Sequence, residues 1–299
     1  MKTKMISLAF VTVALSGLNA HADDAGFAFL KIAPGARAAA MGAFTAVRDD
    51  VQAMSYNPAG ISGKERYALS ASHVELFEDM RLENVMFTHK AFGGTLGYSL
   101  VYLNEGTLEG RDAQRRPTGD FKSSEYAGQV TYAGQAGPFS YGLGVKGIHS
   151  KIENESGTGY AFDGGAILHV GGFDIAASVL NLGKGPKLIS ESSSLPTTLN
   201  GGLAYQFRMG LLVTADARQN VPEKRTTFAF GGEMPLYGLI YLRGGYIYDK
   251  ENKKDPDRKV PRGMSAGFGL RVLGQRLDYA ILSLGELGYS HRITLNLGF

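Results

Sequence analysis

The stretch "GMSAG", Gly263 to Gly267, fits the Gly-x-Ser-x-Gly pattern of a serine hydrolase, and Asp278 and His291 follow it in triad order. That chemistry needs the serine on a sharp strand-to-helix turn. Here Ser265 falls in mid-strand. Alternation puts Ser265 and Asp278 on one face, while His291 shares the other with Ile293 and Leu295. The residues read as small and polar groups lining an interior, and no enzyme is expected. His73, His89, His149 and His169 are scattered about one per strand without metal-ligand spacing. The loop "DKENKKDPDRK" mixes both signs and lacks the glycine of a calcium loop. Neither a metal nor another cofactor is expected.

A larger set of chemical groups shares the face of Ser265. Lys146, Arg218, Arg243, Arg271, Arg276 and Arg292 fall there, against Asp216, Glu233 and Asp278. Charges enclosed at membrane depth normally pair with one another. The set therefore reads as a salt-bridge network or as a path that binds anions weakly.

The elements that carry these residues follow from the rest of the chain. Residues 1–22 have the form of a secretory signal peptide: Lys2 and Lys4, the apolar run "MISLAFVTVALSGL", and Ala20-His21-Ala22 as cleavage site. Removing the two lysines from 31 Lys and Arg leaves 29 basic against 28 acidic residues, which argues against a nucleic-acid partner. With no cysteine, an exported chain of this length is not a disulfide-stapled scaffold.

Beyond residue 65 the sequence alternates with period two in segments of about ten residues, the signature of transmembrane strands. Strands are predicted at 66–74, 83–91, 94–104, 122–134, 138–151, 157–169, 172–181, 197–207, 210–219, 225–234, 238–248, 263–272, 275–284 and 288–299. Every second connection is a tight glycine turn, such as "AFGG", "VGG" or "LYG". The others are mostly long and polar, such as "NEGTLEGRDAQRRPTGDFKSS", "KIENESGTG" and "DKENKKDPDRKVPR". Short turns at one end and long loops at the other predict an all-β, 14-stranded antiparallel outer-membrane barrel at 66–299. Its belt meets outer-membrane lipid through Tyr and Phe, because there is no Trp. If the tight turns are periplasmic, both mature termini are periplasmic too.

Residues 23–65 do not fit the ladder. "ARAAAMGAFTAV" contains good helix formers around Gly42, and Asn57-Pro58 is a stop and restart in which Asn caps and Pro opens a short second helix. A helix satisfies its own backbone, so a barrel lumen accepts it. Residues 29–62 resemble the N-terminal signature of the PorV/PorQ family of outer-membrane proteins, related to FadL-type barrels. The matching residues are Gly35-Ala36-Arg37, Ala40-Met41-Gly42, Asp49-Asp50 and Asn57-Pro58-Ala59-Gly60; Ala43 stands where the family usually has a second glycine.

The resemblance implies that this segment folds back into the lumen as a short helical plug. It implies a partner or carrier in protein secretion or surface assembly, with secretion-system proteins as partners. The alternative it leaves open is a FadL-like channel for a hydrophobic ligand, which needs an apolar pocket beside the plug and a break in the wall. Gly231-Gly232 and Pro235 in "FAFGGEMP" are the candidate kink. Terminal Phe299, after alternating apolar residues, looks like the insertion signal read by the barrel-assembly machinery.

Overall fold

The computed structural model describes residues 26–32, 34–63, 65–111, 114, 116–188, 191–192, 194–249 and 261–299. The expected signal peptide and most of the loop 249–262 lie outside the described residues.

Sixteen strands are present among the described residues. In chain order they are β1 (Tyr67–Glu75), β2 (Arg81–Ala91), β3 (Gly94–Arg111), β4 (Pro117–Ala136), β5 (Phe139–Ile152), β6 (Glu155–Val170), β7 (Phe173–Lys184), β8 (Lys187–Leu188), β9 (Glu191–Ser192), β10 (Thr198–Gln206), β11 (Leu212–Asn220), β12 (Arg225–Leu236), β13 (Ile240–Asp249), β14 (Met264–Val272), β15 (Gln275–Ser283) and β16 (Tyr289–Gly298). The pair β8–β9 is a separate small hairpin, and the other fourteen strands close into one antiparallel barrel. β16 pairs with β1, and the seam ends on two backbone bonds between Tyr67 and Phe299, at 2.9 and 3.0 Å. Closure leaves no strand edge to be satisfied by lipid.

Alternation sorts the two faces. On β5, Ser140, Gly142, Gly144, Ile148 and Ser150 are buried inward. Phe139, Tyr141, Leu143 and Val145 point outward, and Leu143 is 70% exposed. Large apolar side chains bared around a whole barrel are stable only against lipid. Phe139 and His149 stand near the two ends of this face. Ten residues at about 3.3 Å each, tilted near 40°, span roughly 25 Å, the height of an outer-membrane apolar band.

The strand positions agree with the alternation, but two polar connections do not. β3 and β4 extend to Arg111 and Pro117, so most of the predicted loop at 104–124 is a hairpin standing beyond the band. "KIENESGTG" likewise closes in a tight turn at Glu153 (φ 53°), with Ile152 opposite Glu155. Once a ladder has started, each further pair satisfies two backbone groups, so polar residues on both faces do not end it.

The predicted kink is absent. β12 pairs without a break with β11 from Arg225 to Glu233 and with β13 from Thr227 to Leu236. Its glycine serves close approach instead. A Cβ on Gly231 would stand 2.0 Å from the Met41 carbonyl oxygen, and one on Gly245 would stand 2.4 Å from the same atom. These positions seat the helix α1 (Ala36–Met41) against the wall. The helix is shorter than its composition suggests. Gly42 ends it at φ 70°, its N–H bonded to the Ala38 carbonyl at 3.0 Å. The ladder shifts register elsewhere: between β3 and β4 beyond Asn104, in the hairpin outside the band, and between β6 and β7, where Asn181 (φ 58°) bulges opposite Asp163.

The described chain runs from the long-loop end to the tight-turn end, and the expected mature start at residue 23 lies outside the described residues. Phe299 closes the tight-turn end, whereas Phe27 and Phe29 pack with Val74, Leu82, Leu103 and Leu195 at the long-loop end. These two rings need an apolar seat, and the polar floor below does not provide one.

Replacing Gly245 with Val drives a side chain into the α1 backbone, whereas Gly244 has nothing within 4 Å of its outward Cβ position. Gly245→Val is expected to destabilise the folded barrel by about 1–3 kcal/mol, and Gly244→Val to leave it unchanged. Urea unfolding followed by heat-modifiable gel migration measures both.

Candidate functional site

The plug is held by a closed ring of six buried charges. Arg37, on α1, grips Glu233 of β12 with two bonds, Nε–Oε2 at 2.9 Å and Nη2–Oε1 at 2.6 Å. Glu233 accepts from Arg243 of β13 at 2.6 Å, and Arg243 donates to Asp278 of β15 at 2.7 Å. Asp278 accepts from Arg276 at 2.8 Å, Arg276 donates to Asp50 at 3.1 Å, and Asp50 accepts from Arg37 at 2.7 Å. Three cations alternate with three anions, and two of the six come from the plug. Gln52 N–H and the Asn296 amide complete the acceptors of Asp50 and Asp278. Burial alone pushes the Asp50 carboxyl up, but Arg37 and Arg276 outweigh it and hold it below the ordinary carboxylate value. Burial also disfavours the Arg37 cation, yet Glu233 and Asp50 keep it charged well above its usual range.

A second anchor lies across the lumen. Asp216 accepts from Phe44 N–H (2.8 Å), Thr45 N–H (3.1 Å), Thr45 Oγ1 (2.8 Å) and Arg218 (2.8 Å). Arg218 also bonds the Gly42 carbonyl and lies over the Tyr56 ring at 5.3 Å. The Asn57-Pro58 turn makes a third. Asn57 caps a single 3-10 turn, Pro58–Ile61, through Ala59 N–H at 3.0 Å. Its amide also donates to Thr45 O at 3.1 Å and to Ala166 O of β6 at 3.2 Å. Gly142 and Gly165 leave the room, since a Cβ on Gly165 would stand 1.9 Å from Asn57 Oδ1.

Other predicted residues have lesser or different places. Gly35 caps α1, and Gly60 packs on Ala53 and Val47. Asp49 is exposed, so only one of the acidic pair joins the ring. Lys146 is paired with Asp163 (3.1 Å) and Asn181 (2.5 Å), apart from the ring. Arg271 keeps the predicted face but stands exposed at the turn-side mouth, against Tyr241. Arg292 is buried, 3% exposed, beside Tyr56. Ser265 donates to the Ala40 carbonyl at 2.9 Å and Asp278 belongs to the ring, while His291 bonds Tyr279 on the outer face at 2.8 Å; no triad assembles. His73 and His89 also face outward, on Glu83 and on stacked Phe87 and Tyr98, and His149 lies beside Tyr126. His169 sits at the mouth on Asp174.

Above this floor, on the long-loop side, lies a cavity of about 610 Å³. Phe27, Phe29, Leu30, Leu76, Phe77, Leu103 and Leu284 form its walls; Ala38, Ala39, Tyr56, Arg218 and Arg292 form its base. Glu105 and Glu125 reach it from β3 and β4. A smaller space of about 40 Å³ adjoins the Asn181 bulge and shares Ser55, Phe29, Leu30 and Ile32 with the larger one. Glu125 and Asp163 escaped the sequence reading although strand parity places both inward.

No protein-family model and no curated protein matches the sequence. Solved structures do. The Pseudomonas putida toluene transporter TodX superposes with a TM-score of 0.63 at 14% identity, over 88% of this chain and 96% of that one. A Pseudomonas aeruginosa FadL homologue gives 0.60 at 12% identity, over 88% and 97%. The CymD monoaromatic hydrocarbon channel gives 0.57 at 10%, over 88% and 96%. The fold is that of the FadL-like barrels. It fits an outer-membrane location, and of these neighbours TodX is a transporter and CymD a channel. Nothing in these likenesses supports the PorV/PorQ half of the expectation.

Arg37→Met leaves three buried acids against two arginines and is expected to cost about 3–5 kcal/mol. Adding Glu233→Leu restores the balance and should recover part of that loss. Unfolding of single and double variants by urea checks this non-additivity. Because the folded Asp50 value is depressed, its contribution is complete above the ordinary carboxylate pKa near 4 and is lost as pH falls through the lower folded value. Acidification to about pH 4 should leave the plug seated.

Proposed function

We propose that this protein is a non-enzymatic outer-membrane channel for hydrophobic small molecules. The observation that carries the reading is the apolar cavity of about 610 Å³ resting on an immobilised plug. A cavity of this size suits a small organic ligand, and the apolar outer face of the barrel places that cavity in a membrane-spanning wall. In this reading the Asn181 bulge, where the β6–β7 ladder shifts register, is the candidate for the wall break that such a path requires. The fold shared with TodX and CymD points the same way, while the secretion role has no observation of its own. In this reading the tight turns and Phe299 face the periplasm, and residues 26–32 point toward the exterior end of the lumen.

Ser55 lines both the large and the small cavity, so it stands at their junction. Cells lacking their own hydrocarbon channels are expected to take up a radiolabelled monoaromatic hydrocarbon when they produce this protein. Ser55→Trp should reduce that uptake to background while heat-modifiable migration stays normal. Uptake equal to the empty vector, or unchanged by Ser55→Trp, contradicts the reading.

A further inference from the structure

The cavity contains an unpaired acidic group. Glu125 is 9% exposed, lines the chamber and has no hydrogen-bond donor among the described residues. Its neighbour is Glu105, a like charge close enough to repel it, which also lacks a donor there. A buried carboxylate without a partner is costly, and a second one beside it adds to the cost. Of the cations that line the cavity, Lys31 is held by Glu223 at 2.5 Å and Arg218 by Asp216 at 2.8 Å, while Arg292 lies in the base beside Tyr56. The three arginines of the ring are matched to its own three acids, so none of them turns to Glu125.

We infer that Glu125, with Glu105, receives the ammonium group of a hydrophobic amine. The inference rests on the uptake reading and narrows its substrate class. A hydrated divalent metal suits the site poorly, since it takes six or more oxygen ligands and the wall here offers two carboxylates among Phe27, Phe29, Phe77 and Leu103. An organic ammonium needs few acceptors, and aromatic rings favour it. Its apolar body would fill the rest of the chamber, as neutral hydrocarbons would.

The test is equilibrium binding of radiolabelled phenethylamine and of ethylbenzene, a neutral counterpart of similar size, to the mature protein in lipid nanodiscs. Empty nanodiscs correct for partitioning. The wild type is expected to hold the amine about tenfold more tightly than the hydrocarbon, the gain of one charge-assisted hydrogen bond in a dry site. Glu125→Gln should erase that preference, bringing the amine's affinity to that of ethylbenzene for the same variant, with heat-modifiable migration confirming the fold. Ethylbenzene bound as tightly as the amine, or a preference that survives Glu125→Gln, overturns the inference and leaves the uptake reading standing. Binding of neither ligand overturns both. Displacement of the amine by calcium ions at millimolar concentration would also overturn it, in favour of a metal site.

Discussion

A charge buried beneath the plug of this barrel is stabilised by another charge. The wall of this lumen carries Glu233, Arg243, Asp278 and Arg276 in an unbroken chain of ion pairs across β12, β13 and β15. That chain has two loose ends, an acid at Glu233 and a cation at Arg276. Arg37 caps the first, Asp50 caps the second, and the two bond each other. The plug therefore completes the electrostatics of the wall. Removing either of its two charges strands a partner in a site from which water is excluded, the most expensive kind of loss in a protein interior.

Everything above depends on this floor. The glycines at 231 and 245 let α1 lie directly on the strands, and those at 142 and 165 do the same for the Asn57-Pro58 turn. Between these contacts, Ser and Thr of the wall bond the plug backbone: Thr294 to Ala36, Thr214 to Ala43 and Ser178 to Tyr56. A floor fixed at so many points turns the upper lumen from a water-filled pore into a closed-bottomed chamber. The apolar residues of 26–32 line that chamber and give it largely apolar walls.

Much of this was legible in the residues because period-two alternation is a local signal. Ser265 and Asp278 are inward, and His291 is outward, as parity alone requires. The motif around Asn57 marked a turn, and Asn57 caps one. Pairing was not legible, since it depends on which strands lie across the lumen: nothing near Arg37 in sequence points to Glu233. Gly231-Gly232 looked like a weakness in a strand because the helix that needs the missing side chain comes from 190 residues upstream (Met41 to Gly231). The register shift at Asn181 had only the tolerance of Asn for a left-handed backbone to announce it. Polar residues at 104–124 suggested a loop, because a hairpin beyond the membrane has no buried face to give it a period.

The central claim is that residues 29–62 close the lumen. Single-channel recording in planar bilayers tests it most directly, comparing the intact mature protein with a variant lacking those residues, both shown to be inserted by heat-modifiable migration. The account predicts a nearly silent intact protein and large steady currents from the deletion. Equal currents from the two would mean that the segment does not close the pore.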